Sequence, residues 1–314
     1  MMNINKTDII KAAERISPFI HNTPLLSSKQ INNICESNII FKCENFQKAG
    51  AFKSRGANNA ILSLSPTESA NGVITHSSGN HAGALALAAK NQGIKAYIIM
   101  PSNAPQVKIN AVKSYGGIIT FCEPTLEARE STLKEIQEKT GATEVHPYNN
   151  EKVITGQATA AFEMITEHND FDIIMTPVGG GGLLSGTALS CNLFSEKTKV
   201  IAAEPFGADD AYKSFYSKTF TPSVTPNTIA DGLLTSLGSI TFPIILQHVD
   251  KIIRVKEDTI IKAMHLIWER MKIIVEPSSA VALAAIMEEP ETFENKKTGI
   301  IISGGNVDLN KLPW

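Results

Sequence analysis

The chain is poor in the features that mark several large protein classes. Its four cysteines, Cys35, Cys43, Cys122 and Cys191, are scattered with no C-x-x-C pair, so neither a zinc site nor a disulfide framework is expected. Charge of either sign is not in excess: 29 Lys and Arg face 31 Asp and Glu, a formal net charge of −2. That balance gives no reason to expect nucleic acid or an anionic membrane as partner. No apolar run reaches the ~18 residues of a membrane span. The first residues, Met1-Met2-Asn3-Ile4-Asn5-Lys6, lack a hydrophobic signal core, and with the sequence running to Trp314 no appended regulatory domain is expected. A cytoplasmic location is the simplest expectation. Internal repeats, low-complexity tracts and Pro/Ser-rich linkers are also missing. What remains is 314 residues, 43% hydrophobic and 19% charged, ordinary for a globular enzyme with room for two lobes.

Apolar runs alternate with helical patterns from about residue 38 onward. Strands are predicted at 39–43, 72–75, 96–100, 118–121, 173–177, 200–203, 252–255 and 299–302, with helices at 80–91, 106–115, 125–139, 154–168 and 258–271. Such alternation specifies an α/β fold of parallel sheets covered by helices. Eight strands fit two sheets better than one. The expected division is a small lobe over 63–146 and a larger, discontinuous one over 1–62 and 147–314. Ligands of open α/β sheets bind at the carboxyl ends of the strands, where the polar and Gly-rich segments of this chain cluster.

Four segments carry the chemistry. In Phe52-Lys53-Ser54-Arg55-Gly56 a lysine follows an aromatic ring amid small residues; held near an aldehyde and partly desolvated, such an amine forms a Schiff base. In isolation it reads as a surface lysine in a loop-to-helix turn. Gly179, Gly180, Gly181 and Gly182, followed by Leu183, come after a strand and open a helix. Bare amides and the helix N-terminus there make a phosphate cradle. With Gly186 the spacing is G-x-G-x-x-x-G, and Glu204 ends the next strand, so a dinucleotide is as good a reading as a lone phosphate. Ser77-Ser78-Gly79-Asn80-His81 is a donor-rich strand-to-helix junction suited to a small carboxylate, or simply a capped helix. Ser303, after the terminal strand, either belongs to a simple turn or can face a ring nitrogen as a neutral hydrogen-bonding partner, which would leave the ring largely unprotonated. A fifth segment, Glu204 to Asp210, places two carboxylates around the Ala208 carbonyl, a donor set for a hard cation or a merely solvated acidic loop.

Together these segments resemble the fold-type II pyridoxal-phosphate enzymes, and within them the serine racemase and serine/threonine dehydratase (threonine ammonia-lyase) branch. The resemblance spans nearly the whole chain with the motifs in the expected order. It implies a two-lobed, tryptophan synthase β-like fold, with pyridoxal 5'-phosphate carried by Lys53 beside Phe52. Asn80 would contact the phenolic oxygen of the cofactor, Gly179 to Leu183 its phosphate, and Ser303 its ring nitrogen. Ser77, Ser78, Asn80 and His81 would receive the substrate carboxylate. Ser78 matches the serine that acts as acid/base opposite the lysine in eukaryotic serine racemases. Glu204, Ala208 and Asp210 match a Mg²⁺ or Ca²⁺ (or Mn²⁺) site, and a homodimer is implied. Tyr148, in His146-Pro147-Tyr148-Asn149, departs from the asparagine expected of a close relative. The implied activity is dehydration of L-serine and L-threonine to 2-oxo acid and ammonia, with serine racemisation. The alternatives are a 3-hydroxyaspartate dehydratase or racemase of the same fold, an NADP-linked oxidoreductase, and an inactive amino-acid sensor.

Overall fold

Along the central strands, successive side chains enter two different cores. Ile173 and Met175, Ile201 and Ala203, and Ile300 and Ile302 pack into one. Ile174, Val200 with Ala202, and Ile301 pack into another on the opposite face. Strands apolar on both faces can only lie inside a helix-covered sheet. The computed structural model of the chain describes residues 4–314; residues 1–3, part of the amino terminus considered above, lie outside the described residues. It contains ten strands: β1 Leu25–Ser27, β2 Asn38–Cys43, β3 Val73–His76, β4 Ala96–Pro101, β5 Ile118–Cys122, β6 Thr143–Glu144, β7 Ile173–Pro177, β8 Lys199–Pro205, β9 Lys251–Val255 and β10 Lys297–Ile302.

A six-stranded sheet runs β1-β2-β10-β7-β8-β9, and a four-stranded sheet runs β5-β4-β3-β6. Every pairing is parallel except β1 with β2. One core of the large sheet takes side chains of helices Glu257–Met271 and Pro277–Glu288; the other takes those of Glu151–Glu167 and Gly182–Phe194. The small sheet is sandwiched likewise, with helix Asn80–Asn91 on one face and Leu133 of helix Leu126–Thr140 on the other.

All eight strands expected from the sequence are present, joined by the short β1 and β6. Helix Lys53–Leu62 spans the seam between the sheets. Its Ala57, Ala60 and Ile61 enter the core of the small sheet, whereas Asn59 on the same helix donates to the Lys152 carbonyl. Among the described residues no helix is long and apolar enough to cross a membrane.

Candidate active site

Lys53 is the first residue of its helix, and the segment after β10 sets where that helix starts. Residues 50–52 run against 303–305: the Phe52 amide donates to the Ser303 carbonyl at 2.9 Å and the Gly305 amide to the Gly50 carbonyl at 2.9 Å. The backbone of Ser303 therefore lies against that of Phe52, one residue before Lys53. The Lys53 ammonium lies 5.1 Å from the centre of the Phe52 ring and donates to the Pro147 carbonyl at 2.8 Å. Burial pushes the amine down to about 8, against a smaller upward pull from Glu276. An amine so placed is a usable nucleophile and base near neutral pH.

Ser303 is buried, and its hydroxyl lies 3.0 Å from that of Ser279. Ser279 in turn donates to the Gly304 carbonyl at 2.7 Å. With the Ser279 proton so committed, Ser303 is the donor of that pair, and rotating its hydroxyl away from Ser279 would offer the same proton to a neutral acceptor such as an unprotonated ring nitrogen.

The tetraglycine turn leaves no space for side chains. A Cβ on Gly180 would lie 2.4 Å from the ring of Tyr148, and Gly181 has φ +84°, where side-chain-bearing residues are strained. Thr241 pins the turn by donating to the Gly180 carbonyl at 2.9 Å. Helix Gly182–Phe194 begins there without a side-chain cap. Its first amides, having no carbonyl one turn back, remain for a phosphate. The partly buried amine, the glycine-lined cradle and the neutral serine all suit pyridoxal phosphate.

The loop after β3 reaches the same crevice. Ser77 accepts from the Gly79 amide at 3.2 Å, and Ser78 lies half-buried beside it. Asn80 donates to Glu276 at 2.7 Å and accepts from Asn306 at 3.0 Å, which fixes its amide and leaves one N–H to offer. His81 bonds through Nε2 with the Val145 carbonyl at 3.0 Å, and burial holds it down at about 3. Its imidazole is therefore neutral and turned away, leaving only the main-chain amide to meet a carboxylate. His76 and His146 stack edge-on with ring centres 5.7 Å apart, and both are held low, first by burial.

Glu276 escaped the reading of the sequence. It is buried, one oxygen has no hydrogen-bond partner, and burial pushes it up to about 7 although Lys108 nearby works the other way. Its partners Asn80 and Lys108 are too far away in sequence for any local pattern to mark it. Tyr148 was singled out only as a departure; its ring in fact forms one wall of the glycine turn.

The dinucleotide reading of Glu204 fails on geometry. Glu204 is fully buried and its two oxygens accept from the amides of Ala211 at 2.9 Å and Tyr212 at 2.7 Å, so it faces the next helix rather than a ribose. Asp210 lies close by with neither oxygen hydrogen-bonded; burial pushes it up to about 7, offset in part by its own amide and the nearby Ser223.

Comparison with known proteins agrees with this geometry. A family model described as "Pyridoxal-phosphate dependent enzyme" matches residues 16–304. The serine racemase of Dictyostelium discoideum is 51% identical, over 99% of this chain and 98% of its own. Its crystal structure matches with a TM-score of 0.93, covering 98% of this chain and 99% of that one. The beta-hydroxyaspartate dehydratase of Paracoccus denitrificans is 47% identical, with 98% of each chain covered. The crystal structure of a threonine deaminase from T.th. gives a TM-score of 0.93 at 36% identity, covering 98% of this chain and 99% of that one. The chain thus belongs to the pyridoxal-phosphate-dependent enzymes, in the fold-type II branch that holds the serine racemases and threonine deaminases.

Proposed function

We propose that this enzyme dehydrates L-serine and L-threonine to 2-oxo acid and ammonia and also racemises serine, with Lys53 and Ser78 transferring protons on opposite faces of the substrate. The observation that carries the reading is the partly buried Lys53 amine, brought down to about 8 and following Phe52, whose amide is held by the Ser303 carbonyl. Pyridoxal phosphate, when bound, supplies the electron sink that acidifies the Cα–H bond. Lys53 takes the Cα proton on its own face. The amides of Gly179 to Leu183 hold the phosphate charge. The Ser77–Ser78–Gly79–Asn80 loop and the His81 amide orient the substrate carboxylate. Ser303, a neutral partner, would leave the ring short of positive charge, which favours early departure of the β-hydroxyl, as water once it has gained a proton equivalent to the one Lys53 takes from Cα. Ser78 delivers a proton to Cα from the other face when the hydroxyl stays.

A second reading has 3-hydroxyaspartate as substrate. The 47% identity to a beta-hydroxyaspartate dehydratase favours it, as does Arg129, whose Nε is buried without a hydrogen-bond partner and whose charge reaches His76. Purified holoenzyme assayed on L-Ser, D-Ser, L-Thr and 3-hydroxyaspartate, for both 2-oxo acid and enantiomer, separates the readings. No 2-oxo acid from L-Ser or L-Thr refutes the first.

A divalent cation, Mg²⁺ or Ca²⁺ (or Mn²⁺), at Glu204, Asp210 and the Ala208 carbonyl completes the proposal. Two buried carboxylates, both pushed upward first by burial, Glu204 also by Asp210 and Asp210 also by Asp209, suit a missing positive charge. Among the described residues no three acidic, His or Cys side chains converge, so a carbonyl and water must fill the shell. We also propose that residues 63–146 form a small mobile domain over one made of 1–62 and 147–314, and that the enzyme is a cytoplasmic homodimer. All four strands of the small sheet fall between residues 73 and 144, which supports that division. Light scattering of the purified protein checks the dimer.

A further inference from the structure

The helix that begins at Lys53 starts badly by local standards. Its N-cap, Phe52, has helical backbone angles and provides no side-chain hydrogen bond, and its first turn has no acid. Lys53 and Arg55 instead add positive charge where the helix dipole is already positive. Such a start frays unless something outside the helix holds it.

Arg55 is what holds it. The side chain is fully buried and all five of its N–H donors are used. Nε and Nη2 bind the two oxygens of Glu44 at 2.8 Å each. Nη1 and Nη2 bind Glu163 at 2.6 and 2.7 Å, and Nη1 also donates to Thr159 at 3.1 Å. Buried Lys42, 2.6 Å from Glu163, brings the cluster to two cations and two carboxylates. Glu44 follows β2, while Glu163 and Thr159 lie on helix Glu151–Glu167. That helix begins just after Pro147, whose carbonyl receives the Lys53 amine. It also holds Gly56 through Gln157, at 3.1 Å. The backbone and the amine of Lys53 are thus referred to one rigid unit.

We propose that Arg55 is a positioning residue for Lys53: the fork of its guanidinium, gripped by Glu44 and Glu163, sets the first turn of the helix and so the angle from which the lysine meets its cofactor. Buried ion pairs add little stability over apolar packing of the same volume, so stability alone is a weak reason for this cluster. Its charges cancel, which leaves orientation as its contribution. A displacement of about 1 Å at a reacting group can cost about 10²-fold in rate. Lysine at this position keeps the charge but has neither the fork nor five donors.

The inference rests on Lys53 being the Schiff-base lysine, and the test reads that separately. Holoenzymes of Arg55→Lys and Glu163→Gln are compared with wild type and with Ile31→Ala, a core variant remote from the cofactor that lowers Tm without touching the cluster. Expected for Arg55→Lys is a visible Schiff-base absorbance band with at least about half of its induced ellipticity lost, kcat down about 10²-fold and KM within about twofold. Glu163→Gln, which keeps the guanidinium and its Glu44 pair, shows the same changes in weaker form and answers the question if Arg55→Lys does not fold. Ile31→Ala keeps both ellipticity and kcat. Wild-type ellipticity and kcat in the folded cluster variants, with only Tm lowered, overturn the proposal. A band that survives in Lys53→Ala overturns the underlying assignment of Lys53 instead.

Discussion

The chemistry of Lys53 follows from two opposed influences, burial that disfavours its ammonium and Glu276 that restores part of it. The free amine is the reacting form, so capture of pyridoxal phosphate by cofactor-free enzyme should accelerate with pH and reach half its maximum near pH 8, the value to which burial brings the amine. Stopped-flow absorbance at several pH values measures this, and an inflection near the ordinary lysine value of 10.5 contradicts it. Removing the charge of Glu276 with Glu276→Gln leaves an acceptor for Asn80 and should move the inflection lower still. Lys53 and Ser303 were legible because each sits in a recognisable run of small residues. Glu276 was not, since a single acid before Pro277 looks like any helix start and its meaning comes from Asn80, 196 residues away. The same holds for the partners of Arg55, which lie on two other elements.

Elements repeat the pattern. Central strands announced themselves through continuous apolar runs, whereas β1 and β6, with three and two residues, are too short for any period to register. Helix Pro277–Glu288 also gave no amphipathic signal, because nine of its residues are buried and it has no polar face to mark it. The glycine turn was legible as a cradle, but the reason its glycines are needed, Tyr148 on one side and φ +84° at Gly181, was not. Gly181→Ala should therefore cost about 1–3 kcal/mol in a denaturant melt and lower cofactor affinity in equilibrium dialysis. Unchanged stability and affinity would mean that the turn tolerates a side chain.

The loop after β8 makes a prediction with a definite sign. Asp210 is raised in the folded protein from 3.8 to about 7, so folding favours its protonated form; that stabilisation is complete below the unfolded value and is lost as pH rises through the folded one. Metal-free wild type should lose Tm relative to Asp210→Asn between about pH 4 and pH 7, and Mg²⁺ should restore wild type but not the variant. Thermal melts with and without the ion decide this, and equal Mg²⁺ responses in both proteins would remove Asp210 from the site.

Across the whole molecule, one ion pair links an element beside the small sheet to the surroundings of the glycine turn. Lys108, on helix Gln106–Ser114 beside the small sheet, pairs with Asp231, next to the glycine turn. Burial lowers the Lys108 amine, but Asp231 and Glu276 outweigh it and hold it charged. Lys108→Met removes a charge-assisted link worth about 1.5–3 kcal/mol, and KM for L-serine should rise at least about tenfold with a smaller change in kcat. Steady-state kinetics test this, and an unchanged KM would show that the link does not hold the sheets together over substrate.

Two proton-transfer groups facing each other across one substrate are the centre of the proposed chemistry. The direct measurement follows Ser78→Ala holoenzyme on L-serine, recording pyruvate and D-serine in the same reaction. Loss of a positioned acid/base group predicts a fall in D-serine formation of at least about 10²-fold while pyruvate continues to form through Lys53. A variant that racemises serine as fast as wild type would contradict it.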